Sequence, residues 1–341
     1  CATFLNSNVS HEEREERLNA IHKGEKSILY IAPEMLLTTS LETLLGGRRL
    51  GLFVVDEAHT VTSWGRDFRA DYWFMGDYLE RQRKNGLHFP VLCLTATAVF
   101  GGRDDVVQDT ISTLGLNQPI LYLGRVRRDN IDFDIHSLDK QTDESRDEFK
   151  VNHVAQKIAE YVAEGKKTLV YCPFRSTVDS IYQAVPFSVK DKVRRYHAGM
   201  ERGEKNAAQD AFKNNKAIVM ICTKAFGMGV DVPDVVQVYH YAPTGNLADY
   251  VQEIGRCARD KNLRGTAVEE YLPGDLSQLK RLHGMGELRQ FQLREMLHKL
   301  YWMYSQKKHR NLLVSPDAFS YLFDSGEVEN RVKTGLLLLA K

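Results

Sequence analysis

The run Val54-Val55-Asp56-Glu57-Ala58-His59 ends an apolar stretch in two adjacent carboxylates, a small residue and a histidine. In open α/β sheets ligands sit at the carboxyl ends of strands, which is where these groups would fall. Adjacent strand-end carboxylates suit nucleotide hydrolysis. One of them would hold Mg²⁺ through water, and its neighbour would orient or deprotonate the attacking water. Alone, the pair reads equally well as a solvated loop. Two other runs accompany it. Thr95-Ala96-Thr97-Ala98 follows the next apolar run, and Gln252-Glu253-Ile254-Gly255-Arg256-Cys257-Ala258-Arg259-Asp260 comes much later. Arg256 and Arg259 are three apart, so on a helix they would share a face. Two arginines presented together neutralise the charge of a transferring phosphoryl group. Read alone, that run is a charged helix end; the order of all three lifts them above coincidence.

The elements that must position these groups follow an α/β pattern. Apolar runs at 28–32, 52–55 and 91–94 read as buried strands, and a second series follows at 131–135, 168–172, 193–196, 218–222, 235–239 and 267–272. Helical patterns at 151–164, 177–184, 202–213 and 247–258 separate the later strands. Near-continuous apolar strands alternating with helices predict parallel sheets covered on both faces. Residues 139–150 are almost entirely polar and read as a solvated loop before a helix. Beyond Pro273, Leu276, Leu279, Leu282, Leu288, Phe291, Met296, Leu297, Leu300 and Tyr304 recur at roughly helical spacing. Ser315-Pro316-Asp317 reads as an N-cap followed by Pro at the first helical position.

The chain has 341 residues, a net charge of +1, 43% hydrophobic and 27% charged residues. This is an ordinary soluble composition, so disorder and collagen-like classes are excluded. The longest uninterrupted apolar stretch near the end, 336–340, is far too short to span a bilayer, and with the charged run at 11–17 no signal peptide is expected in these residues. Near-neutral charge argues against a binder that works by bulk electrostatics, yet leaves room for a locally basic groove. The cysteines, Cys1, Cys93, Cys172, Cys222 and Cys257, form no CxxC pair, so no zinc site is expected. Cys93, Cys172 and Cys222 read as buried strand thiols in a reducing compartment, cytoplasmic or nuclear.

Together these motifs resemble those of the superfamily-two helicases, and within them the RecQ family, over roughly residues 4–273. Asp56-Glu57-Ala58-His59 is similar to the DEAH box, and Ile31-Ala32-Pro33-Glu34 resembles the DNA-contacting segment before it. Trp64-Gly65-Arg66-Asp67-Phe68-Arg69-Ala70-Asp71-Tyr72 resembles the aromatic-rich loop of RecQ-like enzymes. Tyr196-His197-Ala198-Gly199-Met200 and Ala225-Phe226-Gly227-Met228-Gly229-Val230-Asp231 are further matches. The resemblance implies two RecA-like parallel-sheet domains, the first incomplete, and then a helical extension. Their expected bounds are 1–124, 125–275 and 276–341.

It also implies roles. Asp56, Glu57, His59, Arg256 and Arg259 would be catalytic, while Thr95, Thr97 and Gln252 would couple hydrolysis to DNA. Gly229 and Asp231 would meet the nucleotide, or Asp231 would help to place the arginines. Pro33, Trp64, Arg66, Phe68, Arg69, Arg175, His197, Thr223 and Lys224 would contact DNA. Trp64 and Phe68 offer stacking faces, and the arginines offer charge to phosphates; the competing reading makes the two aromatics core residues. His197 reads equally as a packed or solvated histidine. Contacts to the backbone position a strand without reading its sequence.

The family's G-x-x-x-x-G-K-S/T phosphate loop is absent from the sequence. Gly24-Glu25-Lys26-Ser27 and Gly165-Lys166-Lys167-Thr168 have the wrong order and lead into strands. The chain therefore reads as a fragment of a longer ATP- and Mg²⁺-dependent DNA helicase moving 3′ to 5′, active on single strands, junctions and duplex ends in repair or recombination. By itself the fragment would neither grip ATP tightly nor unwind DNA. The competing readings are a non-hydrolysing nucleic-acid-binding module and a scaffold subunit with protein partners in a repair or defence complex. The chain departs from the family at Arg66, where histidine is usual, at Cys257-Ala258, at Lys261 and at Pro173-Phe174, and it has no four-cysteine zinc platform.

Overall fold

A computed structural model describes the chain apart from residues 7–8, 62–69, 102–104, 125–126, 140–144, 228–229, 246, 261, 276–287, 309–310, 324–327 and 341. It divides into two compact units, Cys1–Leu123 with Gly286–Lys341, and Gly124–Met285.

In the first unit, β1 (Ala2–Leu5) pairs in parallel with β2 (Ile28–Ile31), and β3 (Phe53–Val55) pairs in parallel with β4 (Val91–Cys93). Its helices in this stretch are α1 (His11–His22), α2 (Met35–Thr38), α3 (Leu41–Leu45), α4 (Ala70–Lys84) and α5 (Val106–Thr113). The charged run at 11–17 is the exposed start of α1, fixed by a reciprocal capping box between Ser10 and Glu13. Alternate strand residues Leu5, Phe53 and Val55 enter one core with Leu44, Val61 and Leu79. The other face, with Phe4, Tyr30, Val54 and Leu92, is exposed.

The second unit holds β5 (Ile131–Ser137), α6 (Arg146–Ala163), β6 (Thr168–Tyr171), α7 (Arg175–Ala184), β7 (Val193–Tyr196), α8 (Arg202–Lys213), β8 (Val219–Cys222), β9 (Gln237–His240), α9 (Leu247–Ile254) and β10 (Gly265–Tyr271). The strands form one parallel sheet, ordered β5-β10-β9-β6-β8-β7. Alternate residues feed two cores. Leu169, Met220 and Val238 enter one; Val170, Ile221 and Tyr239 enter the other. This explains why these runs are apolar throughout.

Two expectations need correction. Residues 139–150 are not simply a solvated loop: α6 begins at Arg146, capped by Ser145, and Lys150 is buried. The Ser145-x-x-Glu148 spacing carried that signal. The helical pattern at 247–258 stops at Ile254.

The described part of 286–341 is helical. It contains α10 (Gln290–Lys307), a short 3₁₀ turn (Pro316–Leu322) capped by Ser315 with Pro at its start, and α11 (Val328–Ala340). Met296, Phe319, Phe323 and Val332 form its core, and α11 meets α4 of the same unit. Among the described residues no helix is long and apolar enough to cross a membrane.

Candidate functional sites

The carboxylates lie where β3 ends. Asp56 is exposed and Glu57 half-buried, followed by a 3₁₀ turn over Ala58–Val61. The Leu94 N–H donates to the Val55 carbonyl, and the Ala58 N–H donates to the Leu94 carbonyl, both at 2.9 Å. This pairing carries the chain after β4 alongside the turn. His59 Nδ1 consequently lies 3.0 Å from Thr95 Oγ1, 3.3 Å from Thr97 Oγ1 and 3.4 Å from Glu57 Oε2. One ring nitrogen thus joins the candidate base to both threonines, and its proton state decides which partner it serves.

Glu57 holds φ +50°, a left-handed backbone costly for a residue with a Cβ. Its N–H donates to Asp56 Oδ1 at 2.9 Å, and the Thr60 hydroxyl donates to its carbonyl at 2.8 Å. Among the described residues the second Asp56 oxygen has no partner, and no group of three His, Cys, Asp or Glu is placed to hold a metal. That fits a water-bridged Mg²⁺ carried by one carboxylate and by nucleotide phosphates, since Mg²⁺ keeps several waters.

In the second unit Arg256 and Arg259 do not share a helix face. Arg256 lies in the turn after α9, Ala258 turns left-handed at φ +47°, and Arg259 follows. Arg256 packs on Gly227, where a Cβ would lie 2.4 Å from its Cζ, and the nearby Tyr171 hydroxyl donates to the Phe226 carbonyl at 3.1 Å. Arg259 pairs with Asp231 at 2.7 Å. Gln252 is half-buried on α9. Its neighbour Glu253 had no assigned role; it is buried 2.9 Å from His240 Nε2, and the His240 ring lies against Tyr171 and Tyr250.

A third cluster gathers at strand ends of the same sheet. Arg175 opens α7, whose N-cap, Phe174, provides no side-chain hydrogen bond. A Cβ on Gly199 would lie 3.2 Å from His197 Nδ1 and 3.4 Å from Arg175 Nη1, so this glycine brings the two side chains together. His197 is buried; its Nε2 lies 3.3 Å from Asp179, and its Nδ1 has no partner among the described residues. Asp179 also pairs with Arg195, a contact the sequence did not suggest. Thr223 and Lys224 follow β8, and the Lys224 ammonium is engaged by Asp249 at 2.5 Å. Pro33 is half-buried just before α2. Trp64, Arg66, Phe68, Arg69 and Gly229 lie outside the described residues.

Burial pushes the Cys172 and Cys222 thiols far above their ordinary range, raises Cys93, and lifts Cys257 to about 11. Cys93, read as buried, is half-buried. None of the three buried thiols is a nucleophile.

Two family models match the chain: DEAD/DEAH box helicase over residues 2–103 and helicase conserved C-terminal domain over residues 150–261. The chain is similar to the probable ATP-dependent DNA helicase RecS of Bacillus subtilis, 34% identical over 76% of this chain and 48% of that protein. It is also 31% identical to the ATP-dependent DNA helicase RecQ of Pasteurella multocida, over 82% of this chain and 41% of that protein. The chain thus spans less than half the length of these relatives. Among solved structures, the DUF1998 helicase MrfA bound to DNA and AMPPNP matches with TM-score 0.62 at 17% identity, covering 82% of this chain and 39% of that one. The DEAD-box helicase Mss116 bound to single-stranded RNA and UDP-BeF matches with TM-score 0.63 at 18% identity, covering 84% and 56%. At that identity the likeness shows the fold, two RecA-like α/β folds.

Proposed function

We infer function from one premise: the chain belongs to the RecQ-like branch of the DEAD/DEAH-box helicases. The whole protein is an ATP-dependent DNA helicase or translocase that moves 3′ to 5′. The observation that carries this reading is the contact of His59 with both Glu57 and the Thr95/Thr97 pair. It links the group that would activate water to hydroxyls that would answer to DNA. Asp56 would hold Mg²⁺ through water. When bound, the cation neutralises phosphate charge, while Arg256 and Arg259 supply charge to the transferring group.

The strand-end cluster is the proposed grip on the nucleic-acid backbone. Arg175 makes no ion pair among the described residues, the N–H groups of α7's first turn add a favourable anion site, and the buried His197 Nδ1 lies beside them. Trp64 and Phe68 would add base stacking. Because the 341 residues include no G-x-x-x-x-G-K-S/T run, this chain alone would bind DNA without turning over ATP. The second reading, a non-hydrolysing binding module, applies only if these 341 residues are the natural chain.

Two measurements test this. In the full-length protein, Glu57→Gln should abolish DNA-stimulated ATP hydrolysis while ATP binding persists. Full-length protein with no such hydrolysis would leave only the binding-module reading. In the 341-residue chain, Arg175→Ala should weaken single-stranded DNA binding and lower the salt slope by about 1, the loss of one phosphate contact. An unchanged slope would remove Arg175 from the interface. Trp64→Ala should weaken DNA more than RNA; equal loss, or none, would undo the assignment of that loop.

A further inference from the structure

We propose that Arg128 and Asn130 are positioning residues that hold Ala258 in its left-handed conformation and thereby set the placement of Arg256 and Arg259. The inference rests on the helicase reading, since it gives those arginines their task.

The geometry is confined to the second unit. An L-residue at φ +47° meets a steric penalty that glycine escapes. Ala258 is nevertheless wholly buried and pinned at both ends of its peptide. Its N–H donates to the Val235 carbonyl at 2.7 Å. Its carbonyl accepts from Arg128 Nη2 at 2.6 Å and from Asn130 Nδ2 at 2.9 Å. Arg128 also donates to the Cys257 carbonyl at 3.1 Å and reaches the Gly255 carbonyl at 3.5 Å. Asn130 braces both sides: its Oδ1 accepts from Arg128 Nε at 3.1 Å, and its Nδ2 donates to the Leu263 carbonyl at 3.0 Å.

A planar guanidinium is suited to several carbonyls at once, and the turn after α9 presents the Gly255, Cys257 and Ala258 carbonyls to it. The turn cannot settle deeper into the sheet. It rests on Gly265, where a Cβ would come within 2.2 Å of Cys257 Sγ. Arg128 and Asn130 lie just before β5, more than 120 residues from the turn, and the Asn130 backbone is held by the sheet, its carbonyl accepting from the Gly265 N–H at 2.9 Å. If the two anchors are lost, Ala258 relaxes toward a right-handed backbone, and the residues on either side of it, which carry the two guanidinium groups, change direction.

The alternative is that Arg128 and Asn130 only add stability, and glycine at 258 separates the two. Glycine adopts positive φ without the anchors, so it should rescue a positioning defect. In the full-length protein, Asn130→Ala and Arg128→Lys should lower kcat for ATP by roughly tenfold or more, with KM within about twofold because the arginines act on charge developed in the transition state. Adding Ala258→Gly to Asn130→Ala should return kcat to within roughly threefold of the parent. Unchanged kcat, or a loss untouched by the glycine, overturns the proposal. In the 341-residue chain, the Tm loss from Asn130→Ala should be smaller in an Ala258→Gly background, and additive losses count against the clamp. A full-length parent without ATP turnover would refute the helicase reading instead, and the thermal cycle would then decide the clamp.

Discussion

Glu57 and Ala258 both carry a left-handed backbone without being glycine, and both lie among residues assigned to phosphate chemistry. Each conformation costs about 1–2 kcal/mol; Glu57 is held locally by Asp56 and Thr60, whereas Ala258 is held by Arg128 and Asn130, partners that its local sequence does not announce. The chemistry-bearing residue types were legible as strings. Their partners were not, because His59 meets Thr95 and Thr97 across more than 35 residues and Ala258 meets Arg128 across 130. Thiol burial was legible where a cysteine lay in an apolar run, as at Cys172 and Cys222, and illegible at Cys257, which lies in a charged stretch yet is wholly buried. A labelling experiment follows. At pH 8 an alkylating reagent should modify exposed Cys1 readily and leave Cys172, Cys222 and Cys257 intact until the chain unfolds. The same burial has a pH consequence. Thiol pKa values raised in the folded state give stability that is complete below the ordinary thiol value and is lost as pH rises past it. Unfolding free energy should therefore fall from about pH 9 upward, with Cys257 contributing its part of the fall until about pH 11. A stability flat from pH 8 to pH 11 would contradict this.

Among the elements, α6 shows how one buried ion pair fixes a helix. Lys150 and Asp275 have almost no exposure, and their ammonium and carboxylate are paired in the second unit's interior. Arg146 reaches the other Asp275 oxygen from one turn earlier, and the Leu272 N–H donates to Asp275 at 2.8 Å. The Lys150 ammonium also lies 4.7 Å from the Tyr241 ring centroid. Burial pulls the Lys150 pKa down, and Asp275 pulls against it. Charge alone suggested solvent here, because composition reports what a residue is and not what waits opposite it; Asp275 stands 125 residues away. The α9 end escaped for a related reason. A helical period continues through Ala258 in the letters, whereas side chains from before β5 take the carbonyls after Ile254. Asp275→Ala should cost about 3–5 kcal/mol by stranding the lysine charge, measured by denaturant unfolding of the second unit's transition. The double variant Lys150→Met with Asp275→Leu should lose much less, since it strands no charge. Equal losses would mean that the site is valued for packing and not for its charges.

Across the whole chain, the two units differ in how their strands are covered. In the second unit β6, β8 and β9 are buried on both faces, with Val170, Ile221 and Tyr239 wholly enclosed. In the first, the described strands stand as two pairs, and each buries only one face. The other face shows Tyr30 at 65% exposure and Val54 at 48%. Parallel strands are ordinarily covered on both faces, and an uncovered apolar face binds other apolar surfaces. The strand runs themselves were legible, because a parallel strand announces itself by its apolar run. Which face lacks a cover was not, since the runs of both units look alike in sequence. This asymmetry predicts two unfolding transitions, the lower belonging to the first unit, whose strands gain less from burial. Calorimetry with a tryptophan probe separates them: Trp64, Trp73 and Trp302 all lie in the first unit, so the fluorescence change should follow the lower transition. Below that transition the 341-residue chain should enhance the fluorescence of an apolar dye. Tyr30→Thr with Val54→Thr should reduce that enhancement and shift the lower transition by no more than about 0.5 kcal/mol per site, as expected of exposed positions. Undiminished dye binding would place the apolar surface elsewhere, and a collapse of the lower transition would show that these side chains are buried in solution.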